Sequence, residues 1–112
     1  MSQTLGRVTI APEVLVSIAR LTTLATPGVA AISSSGMRAV FGGRDAGGVR
    51  VAVEDGRATV DVRIVAEHGA NMLQLSQDLQ ARIARAIQDM VGMDVAAVNV
   101  YIADVEFLPS EV

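Results

Sequence analysis

Cysteine, lysine and tryptophan are absent from this chain of 112 residues, and aromatic side chains make up only 3% of it. Without cysteine there are no disulfides, no thiolate chemistry and no cysteine-based zinc site, which suits a reducing compartment. The poverty in aromatics means that the core must be built from Val, Ile, Leu, Ala and Met. It also removes the adjacent aromatic pair on which nucleic-acid bases stack, because Tyr101 stands alone. There is one histidine, His68. A metal centre needs several ligands and a catalytic imidazole needs a group to orient it, so a lone His reads as an ordinary strand-end residue. No run approaches the ~20 apolar residues of a membrane span. The first residues lack the basic-then-apolar order of a secretion signal. The expectation is a soluble cytoplasmic chain with no direct membrane insertion.

All nine basic residues are arginine, and the formal net charge is −3. An acidic chain without a basic cluster is poorly matched to a phosphate backbone, so no nucleic-acid partner is expected. An anionic membrane surface is disfavoured for the same reason.

What the chain does have is hydrophobic patterning, with 51% hydrophobic residues over the length of one domain, taken as 1–112. Val8-Thr9-Ile10 reads as a short first strand. Pro12 and Glu13 suit the first turn of a helix whose apolar positions are Val14, Leu15, Ile18, Leu21 and Ala25, ending at Thr26-Pro27-Gly28. Val29-Ala30-Ala31-Ile32 reads as a brief strand. Residues 33–48, with Gly42-Gly43 and Gly47-Gly48, read as a flexible loop longer than the usual connection.

Asp55-Gly56 is the preferred pair for a two-residue hairpin turn, and the flanking residues alternate. That turn fixes a register: Val53 opposite Ala58, Val51 opposite Val60 and Val49 opposite Val62. On the other face Glu54 meets Arg57 and Arg50 meets Asp61, both pairs of opposite sign. A second helix is expected over 69–91, with Met72, Leu75, Leu79, Ile83, Ala86, Ile87 and Met90 as its stripe and Asp78 and Arg82 as an i,i+4 pair. Gly92 stops it, and Val98, Val100 and Ile102 share one face of a last strand. Val105 and Phe107 change parity, which predicts a bulge near Ala103-Asp104 or a departure from the sheet. Strand, helix and strand in that order make the two strands parallel, through a right-handed crossover. The fold class is α+β: a two-layer α/β sandwich of β-α-β-β-α-β type, with a mixed sheet and both helices on one face.

None of the candidate reactive groups assembles a site in sequence. Gly42-Gly43-Arg44 lacks the lysine of a phosphate loop and precedes a strand, not a helix. Ser33, Ser34 and Ser35 have no nucleophile-elbow context. Glu54-Asp55 and the Asp104 and Glu106 pair fall at a turn and on a strand tail, where solvated charge is the default. No catalytic, cofactor or metal residue is assigned. The candidate working surface is instead the sheet face carrying Arg50, Asp61, Arg63, Asn99 and Tyr101, with Arg38 and Phe41 of the glycine loop as a partner-binding insert. The polar face of the second helix is mixed in charge, not basic, and gives no membrane surface.

Three segments resemble the alkaline shock protein family of bacterial envelope-stress proteins. They are Gly6-Arg7-Val8-Thr9-Ile10-Ala11-Pro12-Glu13-Val14, the run from Val60 to Gly69, and Gly92-Met93-Asp94-Val95 with Val98-Asn99-Val100 and Val105. His68 stands where the family commonly has an aromatic residue. The resemblance implies a non-enzymatic cytosolic scaffold for cell-envelope stress, working through a membrane-anchored protein partner and by self-association as a homo-oligomer. It would lie at the inner face of the membrane only through that partner. A regulatory subunit of a lipid-synthesis enzyme is the alternative that the family suggests, and a small-ligand or nucleic-acid-binding domain using residues 33–48 is a third reading. No catalytic residue or cofactor is carried over. Asn99 is expected to bond neighbouring backbone across the sheet.

Overall fold

The computed structural model describes residues 5–34, 44–45 and 47–107. The elements are α1 (Pro12–Ala25), β1 (Val29–Ile32), β2 (Arg44–Asp45), β3 (Val49–Glu54), β4 (Arg57–Glu67), α2 (Met72–Val91) and β5 (Asp94–Glu106). They form the expected two-layer α+β arrangement around one mixed five-stranded sheet. Arg38 and Phe41 lie outside the described residues. Within the segment read as a loop, Arg44 and Asp45 form a short strand against Val51 and Arg50.

β4 is the spine of the sheet. β5 runs parallel to it over its whole length, on one edge. Since a strand has only two edges, β3 and β1 must share the other. β3 pairs antiparallel with residues 57–62, and β1 pairs antiparallel with residues 64–66. They lie end to end along that edge. Arg63 closes the joint: its N–H donates to the Gly48 carbonyl at 2.9 Å, and its carbonyl accepts from the Ser33 N–H at 2.8 Å.

The hairpin register is the one the Asp55-Gly56 turn dictates, with Val49 opposite Val62, Arg50 opposite Asp61 and Val53 opposite Ala58. Even-numbered residues of β4, from Ala58 to Ala66, therefore all enter the core. β5 keeps its apolar face inward by means of two bulges. One follows Val95 and the other follows Ile102, where the parity of the sequence requires it. The extra residues, Ala96 and Ala103, let Val95, Val98, Val100, Ile102 and Val105 face the helices in one row. The three-residue step from Val95 to Val98 is the same parity signal as the step from Ile102 to Val105.

The helix α2 buries Leu75, Leu79, Ile83 and Ile87, each worth about 1.5–3 kcal/mol. Asn71 caps it by accepting the Gln74 N–H at 3.0 Å. Gly92 ends it at φ 76°, the left-handed region. An alanine there meets open space, so only the backbone conformation opposes it. Gly92→Ala is expected to cost about 1 kcal/mol, read as a shift in urea midpoint with unchanged slope.

Four expectations need correction. Val8-Thr9-Ile10 is not a strand; residues 5–10 carry no regular structure, and Val8 is 88% exposed. The buried face of α1 is Leu15, Val16, Ala19 and Thr23, so Val14, Leu21 and Ala25 face outward. The reason is that Thr23 and Thr26 can be buried once their hydroxyls donate to the Ala19 and Thr22 carbonyls, at 2.7 and 2.8 Å. Polar residues thus hid the true stripe. Met90 is exposed at the end of α2, beyond the last buried turn. Asp78 accepts from Gln74 at 3.1 Å, on its N-terminal side, in place of the expected pair with Arg82.

Candidate functional site

Both helices pack on the even-numbered face of β4, where their buried residues join one aliphatic cluster. The odd-numbered face turns the other way, and alternation places Arg50, Asp61, Arg63, Asn99 and Tyr101 on it together. The register sets them side by side. Asp61 lies across from Arg50 on β3 and Asn99 on β5, and Arg63 lies across from Tyr101.

Asp61 is the centre. It is only 6% exposed although it sits on the helix-free face. Its Oδ2 accepts from the Arg50 guanidinium at 2.9 Å, and its Oδ1 accepts from the Asn99 amide at 2.8 Å. One carboxylate thus ties three adjacent strands through side chains. Burying a carboxylate is tolerable only when it is paired and hydrogen-bonded, and here both oxygens are engaged. Asn99 therefore bonds a side chain, in place of the neighbouring backbone that the sequence predicts as its partner. The signal that would have found this is its place directly opposite Asp61, which depends on the bulge at Ala96.

Beside this network Arg63 is half-buried. Its Nε is out of contact with solvent and has no hydrogen-bond partner among the described residues. That nitrogen, like the Nε of Arg50, is closed to an incoming group, so a partner would meet the terminal nitrogens of Arg63 beside the exposed Tyr101. Such a pair fits a carboxylate or carbonyl on an incoming chain, with the phenol ring as an amphipathic anchor.

His68 lies elsewhere, at the far end of β4. It borders an open cleft of about 350 Å³ with Glu67, Asn71 and Asp78. Its ring packs against Phe107, centroid to centroid 5.7 Å, at a tilt. Among the described residues no group of three or more His, Cys, Asp or Glu is placed to hold a metal ion. A second cavity of about 430 Å³ lies between the helices, over Leu21, Ala25, Arg82 and Ala86. No described helix is long and apolar enough to cross a membrane.

The profile of a family described as the ASP23 family, cell envelope-related function, matches residues 1–107. An uncharacterized protein of Bacillus subtilis, YqhY, is 30% identical over 92% of this chain and 79% of its own length. An uncharacterized protein of Streptococcus pyogenes, Spy1535, is 28% identical over 88% of this chain and 78% of its own length. No solved structure matches the chain.

Proposed function

The chain belongs to the alkaline shock protein (ASP23) family, whose function is cell envelope-related, and we propose that it serves the envelope as a non-enzymatic interaction module. The helix-free sheet face is the working surface, and its occupant is a protein segment rich in carboxylate and carbonyl groups, supplied by a membrane-anchored partner on the cytoplasmic side. The observation that carries this reading is the Arg50–Asp61–Asn99 network. Replacing a buried ion pair by packed apolar groups generally costs nothing or adds stability. A polar tie of this kind therefore serves the surface more than the fold: it fixes the side chains of three strands as one rigid platform. Arg63 and the exposed Tyr101 stand at its edge, where a partner can reach them. An arginine and a tyrosine beside a rigid platform are the residue types that anchor specific docking surfaces.

A regulatory subunit of a lipid-synthesis enzyme would use the same face, and the size of the partner separates the two. The test is the double variant Arg63→Gln with Tyr101→Ser, in place of the natural copy in the cell. It is expected to weaken recovery with the membrane fraction at least about tenfold, the consequence of losing roughly 1.4 kcal/mol or more at an anchor pair. Its melting curve should stay close to the parent's. Unaltered membrane recovery and envelope tolerance from a folded double variant would contradict the reading.

A further inference from the structure

Periodicity marks Val14, Ile18, Leu21 and Ala25 as an apolar stripe of α1, yet the fold leaves most of that stripe outside. The buried face of the helix is Leu15, Val16, Ala19 and Thr23. α1 therefore carries two apolar faces, where a surface helix ordinarily has one. Leu21 is 67% exposed and Val14 43%, while Ile18 is part-buried. The helix has two charged residues, Glu13 and Arg20. Each precedes a stripe residue by one position, so each is turned about 100° away from it. From Val14 to Ala25 the stripe is an uncharged strip about 16 Å long.

Beside it runs the groove of about 430 Å³ between the helices. Leu21, Ala25 and Ala86 give it an apolar lining, and Arg82, Arg85 and Asp89 are its charged residues. The helices are antiparallel here. Gly28, just past α1, lies against Leu75 near the start of α2, whereas Leu21 and Ala25 lie against residues 82–89. Arg82 therefore stands toward the Ala25 end of the groove and Asp89 toward the Leu21 end. Asp89 has a partner on its own helix, Arg85, at 3.8 Å. Arg82 has none among the described residues; Asp78, one turn before it, is bonded to Gln74 instead. An apolar strip thus ends at one unspent guanidinium.

We propose that this groove binds a free single-chain amphiphile with an anionic head group, of the long-chain carboxylate class. The carboxylate would accept from the Arg82 guanidinium, and the alkyl chain would lie over Ala25, Leu21 and the stripe beyond. A cavity of this size falls in the range of small-ligand sites. Covered methylene groups supply the affinity, and the guanidinium supplies the choice of head group. A partner helix fits less well, because it needs apolar positions on both walls and α2 offers Ala86 alone among charged residues. An anionic bilayer fits less well too, since the chain carries a net charge of −3 and Asp89 borders the groove.

The test titrates laurate, below its critical micelle concentration, into the full chain and follows the amide resonances. The expected result is a saturable shift of the Leu21, Ala25 and Ala86 amides with one laurate per chain, while the Asn99 and Tyr101 amides stay in place. Leu21→Asp, at a position the fold leaves in water, is expected to weaken binding at least about tenfold. Arg82→Gln is expected to weaken laurate about fivefold and to leave uncharged dodecanol unaffected, a split that a merely structural role would not produce. The absence of a saturable shift would overturn the proposal. So would equal binding of dodecyltrimethylammonium, shifts confined to the sheet face, or binding to phosphatidylglycerol vesicles with none to dissolved laurate. Loss of membrane recovery in Leu21→Asp, with no laurate binding by the parent, would make the groove a protein contact and overturn it as well. Both variants leave Arg63 and Tyr101 untouched, so failure here and failure of the sheet-face reading are distinguishable.

Discussion

Replacing Gly48 with alanine is expected to destabilise the chain by about 3 kcal/mol or more, among the largest effects of any single methyl group in the molecule. Two separate causes act together. Gly48 has φ +99°, a conformation that residues with a Cβ rarely adopt. The added Cβ would also meet the Ser33 carbonyl oxygen at 2.2 Å and Ile32 Cγ2 at 2.7 Å. The first of these is backbone, so it cannot move aside as a long side chain would. The crowding exists because β1 and β3 are laid end to end along β4, with Ser33 and Gly48 bonded to the two backbone groups of one residue, Arg63. Loss of that joint should free β1 before the rest. Hydrogen exchange of the Ser33 and Arg63 amides is expected to accelerate more than that of the Leu79–Ile87 amides in Gly48→Ala. Equal acceleration throughout, or a cost below about 1 kcal/mol, would contradict this account of the joint.

The second large effect is expected at Arg50. Arg50→Met keeps much of the aliphatic stem but leaves the Asp61 carboxylate buried with Asn99 as its remaining bonded side chain. The expected cost is about 3 kcal/mol, at the lower end for breaking a buried pair because the Arg50 side chain is itself 24% exposed. Asp61→Leu in the same chain should recover most of that loss, since it removes the uncompensated charge and adds apolar surface. A double-mutant cycle by urea unfolding measures the coupling. A cycle that closes with no coupling would show that the ion pair is an ordinary exposed one. The stable double variant would then be the sharpest tool for the proposed function, because it keeps the fold and erases the platform.

Much of the architecture is legible in the sequence, for reasons that differ from element to element. The β3–β4 hairpin could be read residue by residue because a two-residue turn and strict alternation leave one register. The α2–β5 crossover follows from Gly92 and a change of period from helix to strand. The face of α1 was not legible, because Thr23 and Thr26 are buried by bonding carbonyls of their own helix, and composition alone counts them as polar. Neither was the place of β1. Four residues carry no information about which edge they join, and the end-to-end arrangement depends on the close approach at Gly48. The grouping of Arg50 with Asp61 was legible from the hairpin. Its extension to Asn99 was not, since no turn residue fixes the parallel register of β4 and β5, which a bulge at Ala96 offsets. The strand propensity of Val8-Thr9-Ile10 pointed to a strand that the chain does not form, because local preference does not supply a partner edge.

Site-specific photo-crosslinking in living cells tests the claim about the sheet face most directly. A photoreactive residue is placed at Tyr101, on that face, and in a second strain at Arg82, on the outer side of α2. The account predicts that position 101 captures one discrete membrane-anchored protein, that position 82 does not, and that Arg63→Gln in the same chain abolishes the adduct. Capture from position 82 with none from position 101 would place the working surface on the helices and contradict it.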